Sequence, residues 1–468
     1  MSPKNLLNLP FAAGLAASAF LSSGYGQSAE AAPGKQIPFP DFGYMVPPGS
    51  YSGPIFKLSQ DYPAKLPDKN QLPAFFSKFP QTLSSDFNLW REYMMAVRDY
   101  CFEGNLPIDF RVEHNPVRKW YHIPWQHYGP NGREGVHGLT KEASVQPQQL
   151  ASTQGEPSAS DFYQTYAVGF FNDFAGYTIG RVWADHMNPD PSVTNAPSGG
   201  KGFPEGSVVF KLLFVDVPVD QVPFLVNPVQ WEGYIQNGYY NAARTIRPVS
   251  LIQMDIAVRD NRAPTGWVFG TFQYNGALHP LASWESLTPV GIMWGNDPDI
   301  KTDEYTNKQP TVTKINPHLK ETSINPDTHQ LPPTHLGWNG RLNGPVDNPV
   351  SSCISCHMTA ESPTLSPLNP SFQANPPPMG SPEWMRWFGN VACAHPFDAE
   401  AKSTDYSLQL AISIENFQLW KTPAQSGLFA KDYTVEPTVG ARAAAEVISV
   451  SRHFPIVRDI PPSAPPEK

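Results

Sequence analysis

Proline limits the fold of this chain more than any other single property. It supplies 52 of the 468 residues, where average usage of about 5% would give roughly half as many. Proline lacks an amide hydrogen and clashes with the preceding turn, so long helices must be few and ordered connections many. Extended segments joined by stiff loops are what remains. Apolar material is ample, 40% of the chain with 12 Trp, 18 Tyr and 27 Phe, enough for one large core or two moderate ones. The 33 basic residues against 42 acidic ones leave a net charge of -9, which by charge rules out a nucleic-acid partner.

The extended segments concentrate after residue 160. Phe162 to Phe171, Gly176 to Trp183, Ser207 to Val217, Leu251 to Arg259 and Gly266 to Tyr274 are rich in aromatic and β-branched residues and read as strands. Ile252, Met254, Ile256 and Val258 alternate in period two, as do Trp267, Phe269 and Thr271, and the turn-forming run Asp260 to Pro264 separates the two series. An antiparallel sheet is the expected product, so the fold class is mainly β with some α. Leu287 to Asp297 is a further apolar segment, and residues 301 to 336 read as a polar connection. Phe87, Trp90, Met94, Val97 and Cys101 have helical spacing, from an N-cap at Ser84 or Ser85 to a stop at Gly104. Ser381-Pro382-Glu383 opens a second helix, and Asp405 to Trp420 fits either period.

These patterns divide the chain into four regions. Residues 1–31 read as a cleaved export signal, with Lys4 ahead of an apolar run from Leu9 to Leu21. That run is short for a bilayer span of about 20 residues, and no later one is long enough. Residues 32–157 form a Pro-rich region with one amphipathic helix and a His/aromatic loop. Residues 158–360 are the expected antiparallel-sheet domain. Residues 361–468 are a helical and loop region with a Pro-rich tail. The expected location is the periplasm or outside the cell.

The densest chemistry lies in Ser351-Ser352-Cys353-Ile354-Ser355-Cys356-His357-Met358. Cys353, Cys356 and His357 form the Cys-x-x-Cys-His string to which a c-type haem attaches. Two thiols at that spacing form thioethers with the porphyrin vinyl groups, and the adjacent imidazole reaches the iron. A disulfide, a dithiol redox pair or half a zinc site are the other uses of such a pair. Covalent haem attachment takes place outside the bacterial cytoplasm, so the signal and the string support each other. One covalent haem c is the expected cofactor, and the expected domain is a haem domain.

Two other places draw notice. Lys211 interrupts the apolar strand Val208 to Phe214; it is either a solvent-facing residue of an edge strand or a lysine turned toward a buried cofactor. The loop Arg111 to Lys141 holds His114, His122, His127 and His137 among Trp120, Tyr121, Trp125 and Tyr128. Its imidazoles either satisfy local hydrogen bonds or wall a pocket, with His122 and His127 the ones placed toward the haem.

The order Gly-Phe-Pro-Glu-Gly (202–206), a Val-rich strand with Lys211, Ile256-Ala257-Val258-Arg259-Asp260, Thr265-Gly266-Trp267-Val268-Phe269-Gly270 and the Cys353 to His357 string resembles the cytochrome P-four-sixty and cytochrome c′-beta family over residues 160–360. The whole chain is also similar to bacterial cytochrome c family proteins. The resemblance implies an exported, largely β-sheet, single-haem protein with His357 as proximal ligand. It also implies an opposite iron face open to small nitrogenous molecules. Some members oxidise hydroxylamine with a lysine cross-linked to the porphyrin, and Lys211 is the lysine here that fits that role.

The expected function is therefore an exported c-type cytochrome that passes electrons to or from a redox partner protein. A haem-dependent oxidoreductase or gas-binding protein acting on hydroxylamine, nitric oxide or peroxide is the first alternative, and a non-haem structural module the second. The sixth iron ligand separates the first two, with Met379, Met385 and His395 as candidates besides the loop histidines. Cys101 and Cys393, left over in an exported chain, suggest either a disulfide or two buried thiols.

Overall fold

In chain order the secondary structure runs α1 (Phe87–Phe102), β1 (Thr140–Val145), β2 (Tyr163–Phe171), α2 (Asp173–Val182), β3 (Val208–Val215), β4 (Gln230–Gln236), β5 (Arg244–Arg259), β6 (Trp267–Tyr274), β7 (Leu287–Met293), β8 (Thr322–Ile324), α3 (Cys353–His357), β9 (Glu361–Ser362), α4 (Pro382–Met385), β10 (Lys402–Ser403) and α5 (Leu408–Lys421), with short 3-10 turns between them. This is a computed structural model, and it describes residues 39, 41, 43–78, 80, 83–126, 132–145, 147–150, 163–236, 243–279, 281–302, 304–305, 315–327, 331 and 335–421. The residues read as an export signal, His127 and the Pro-rich tail lie outside the described residues.

Eight strands form one antiparallel sheet in the order β1-β2-β3-β5-β6-β7-β8, with β4 paired to the first half of the long strand β5. The fold is mainly β with some α, as the alternation in the sequence implies. Period two sends alternate residues to opposite faces. Phe210, Leu212, Met254, Ile256, Val258, Val268 and Phe272 lie in one hydrophobic cluster with α1. Trp267, Phe269 and Met293 lie in a second one with α2, α3 and α5. The sheet thus separates two cores.

The segments outside the sheet fill these same cores, and Phe39 onward is one compact unit. Asp86, rather than Ser84 or Ser85, caps α1 by accepting from the Asn88 amide at 2.9 Å. Ser84 contributes its carbonyl instead, to the Trp90 indole at 2.7 Å. Trp90 stacks on Trp294 with centroids 4.5 Å apart. In the Pro-rich stretch, Phe56 and Phe75 are buried in the first core and Tyr62 in the second.

The segment Gly176 to Trp183, expected as a strand, belongs to the helix α2. Asn172 caps it, accepting from the Ala175 amide at 3.2 Å, and Ala175, Ile179 and Val182 follow at helical spacing into the second core. A short apolar run carries both periods, so packing decides between them. Gly176 and Gly180 let Tyr121 and Tyr62 lie directly on the helix: a Cβ at either would stand 2.7 Å and 2.6 Å from those side chains. Of Asp405 to Trp420, the part from Leu408 onward resolves as the helix α5, with Leu410, Ile414 and Phe417 buried.

Candidate functional site

The Cys-x-x-Cys-His string forms the whole of α3. Ser352 caps it reciprocally: its hydroxyl accepts from the Ser355 amide at 3.0 Å, and its own amide donates to the Ser355 hydroxyl at 2.7 Å. The Ser352 hydroxyl donates to Asn296 Oδ1 at 2.7 Å. The Asn296 segment is fixed in turn by Arg341. This buried guanidinium donates to the carbonyls of Asn296, Asp297 and Ile300 at 2.7, 2.9 and 3.0 Å, and it lies over Trp338 and Phe388. Burial lowers the Arg341 pKa to about 10. Gly337 admits close backbone approach, since a Cβ there would stand 2.0 Å from the Ser351 carbonyl.

At positions i, i+3 and i+4, Cys353, Cys356 and His357 share one helix face. All three line a cavity of about 770 Å³ between α3, the sheet and α5, within the roughly 300–1,000 Å³ of small-molecule and cofactor sites. Burial pushes the Cys356 thiol up to about 11 and the Cys353 thiol well up too. Both are protonated at neutral pH, unlike the thiolates of zinc sites and dithiol redox pairs. Among the described residues no group of three or more His, Cys, Asp or Glu stands ready to hold a metal ion.

The sheet meets α3 with a polar row. Gly169, Lys211, Asp255, Thr271 and Gly291 are successive cross-strand partners on β2, β3, β5, β6 and β7. Lys211 Nζ lies 3.5 Å from Asp255 Oδ2. The Thr271 hydroxyl donates to Asp255 Oδ1 at 3.1 Å and stands 3.9 Å from Cys353 Sγ. Gln253 donates to both Asp255 and Asp347 at 2.9 Å. The strand β3 is an inner strand, so Lys211 does not face solvent from an edge; it lines the cavity with Cys353, Cys356, His357, Glu142, Asp255 and Asp347. Desolvation opposes its charge, but Glu142, Asp255 and Asp347 together hold it well above the ordinary lysine value. Burial raises Asp255 to about 6 even with Lys211 opposing it.

His357 is fixed from behind. Its Nδ1 lies 2.8 Å from the Tyr406 carbonyl; a carbonyl only accepts, so Nδ1 carries the hydrogen and Nε2 keeps its lone pair. Burial lowers the His357 pKa to about 4, which keeps the ring neutral. Phe269 packs on it at 4.7 Å.

Of the three sixth-ligand candidates, Met379 lines the cavity and is 44% exposed, whereas Met385 is buried in the second core. His395 is exposed, its Nδ1 3.0 Å from the Cys393 carbonyl. Neither Met385 nor His395 lines the cavity. His122 is also placed elsewhere: Nδ1 accepts from the Ser59 amide at 2.9 Å and the ring meets Phe56 edge-on, in the first core. Burial drops its pKa to about 3. His137 stacks on Trp231 and bonds Asp109 and the Glu232 carbonyl. Of the described residues from Arg111 to Lys141, Gln126 and Lys141 line the cavity. Cys101 and Cys393 are both free and sit in different cores, Cys393 with its sulfur 2.9 Å from Arg259 Nη2, so no disulfide joins them.

Asp255 and Tyr406 are the site residues the sequence reading passed over. Asp255 had a signal: like Lys211, it is a lone charge of opposite phase in an apolar alternating strand. Tyr406 acts through its backbone and had none. No family model, curated protein or solved structure matches the chain.

Proposed function

We propose that this protein is an exported single-haem c-type cytochrome. Cys353 and Cys356 hold the haem as thioethers, and His357 Nε2 ligates the iron. The observation that carries the reading is the joint placement of both thiols and the imidazole on one wall of a cofactor-sized cavity, with the imidazole already held in the tautomer that leaves Nε2 free. The haem supplies one-electron chemistry, and the protein orients it, keeps water from His357 and sets the charge around it. A redox partner protein is the corresponding electron source or sink. Among the described residues no helix is long and apolar enough to cross a membrane.

A second reading, chemistry on a small nitrogenous molecule or peroxide, is favoured by the ionisable wall of Lys211, Glu142, Asp255 and Asp347 in the same cavity. The test uses protein made in a host with c-type maturation. A pyridine haemochrome assay is expected to report one covalent haem, and Cys356→Ser to leave at most one thioether and sharply less holoprotein. Undiminished covalent haem in that variant rejects the attachment. The ferric paramagnetic resonance spectrum then separates the readings: low-spin iron favours electron transfer, high-spin iron the open face.

A further inference from the structure

The carbonyl that holds His357 belongs to an unusual piece of backbone. Asp405 and Tyr406 are consecutive left-handed residues, with φ of 52° and 66°, a conformation that non-glycine residues keep only when their surroundings enforce it. The loop is reached by a short ladder. Ser362 and Glu361 of β9 pair with Lys402 and Ser403 of β10, then the Thr404 amide donates to the Ala360 carbonyl at 2.9 Å, and the ladder ends on the contact between His357 and Tyr406.

Asp405 is fully buried, and its carboxylate accepts from three separate segments. Oδ2 takes the Phe203 amide at 2.6 Å, and Oδ1 takes the Ala394 amide at 2.8 Å and the Trp267 indole at 3.1 Å. Those segments are the loop before β3, the strand β6 and the connection before β10. Gly202 leaves room for the carboxylate, since a Cβ there would stand 2.2 Å from Oδ2.

We propose that Asp405 is a positioning residue for the proximal imidazole: by tying three elements to one carboxylate it holds the left-handed loop that aims the Tyr406 carbonyl at His357 Nδ1. The inference rests on His357 being the iron ligand. A hydrogen bond at Nδ1 orients a metal-bound imidazole and raises its basicity, so the loop sets electron donation to the iron from the far side of the ring.

Asn tolerates left-handed backbone, so Asp405→Asn changes the clamp and not the strain. Whichever way the amide turns, its NH2 meets an N–H donor where an oxygen accepted one. The holoprotein variant is expected to show a higher midpoint potential and at least tenfold faster deuterium exchange of the proximal Nδ1 proton, followed by paramagnetic NMR. Trp267→Phe removes one of the three donors and should move both quantities the same way by less; it decides the matter if Asp405→Asn does not fold. Covalent haem with unchanged potential and exchange in these variants overturns the role of Asp405 alone. Absence of covalent haem in the unsubstituted protein instead overturns the haem reading, and this inference with it.

Discussion

At the residue scale, the site depends on charges kept where burial alone would discharge them. Lys211 stays an ammonium because carboxylates surround it, while burial lifts Asp255 from 3.8 to about 6 even though Lys211 pulls the other way. A carboxyl whose folded pKa is raised binds more protons folded than unfolded, so its contribution to stability falls as pH climbs through that window and stays low above it. Lys211→Met removes the opposing ammonium and lifts Asp255 further. Denaturant midpoints should therefore fall more at pH 8 than at pH 5; equal losses at both would mean that Lys211 does not couple to the acids. This scale was partly legible in the sequence. Cys353, Cys356 and His357 stand out by residue type and spacing, and the structure places all three on one cavity. Met385, His395 and His122 could not be placed, because a side chain's chemistry does not fix where the fold carries it. Tyr406 acts through a group that every residue carries.

At the element scale, strand alternation was legible where one face packs on one core. It held for β6 and for Ile252 to Val258 of β5, where Ile252, Met254, Ile256, Val258, Val268 and Phe272 lie in the first cluster and Trp267 and Phe269 in the second, with Ala257 packed against it. It failed for α2, where a short apolar run fits both periods and the Asn172 cap decides. The strand β4 escaped because its seven residues, starting at Gln230, mix exposed and buried positions without a run of apolar ones. Packing of α1 on the sheet is tight at Gly270, where a Cβ would stand 2.9 Å from Ile256 and 3.3 Å from Met94. Gly270→Ala should cost about 1–3 kcal/mol by overpacking, and Met94→Ala about 2–5 kcal/mol by the cavity it leaves. Together they should cost less than their sum, by roughly 0.5 kcal/mol or more. Strict additivity in urea unfolding would show that the helix does not bear on that strand position.

At the scale of the whole molecule, acid and base conditions pull on the joint between the segment that follows α3 and the carboxy-terminal segment. Glu361 is fully buried four residues after His357, and its Oε2 accepts from the Asp398 amide at 2.8 Å. Burial first, and then the neighbouring Asp398 carboxyl, raise Glu361 from 4.5 to about 7. By the same linkage Glu361 stabilises the fold fully below its unfolded value, and that stabilisation is lost as pH rises from about 4.5 to about 7. Glu361→Gln, neutral throughout, should flatten the decline of unfolding free energy across that interval, and an unchanged slope would remove Glu361 from the account. The cavity has a further consequence in the order of assembly. Its walls run from Gln126 to Ile412, with Leu408, Gln409, Ala411 and Ile412 of α5 among the last contributed. Its sheet wall comes from residues 141 to 269 and its helix wall from residues 408 to 412, so the cavity closes only when segments far apart in the chain meet.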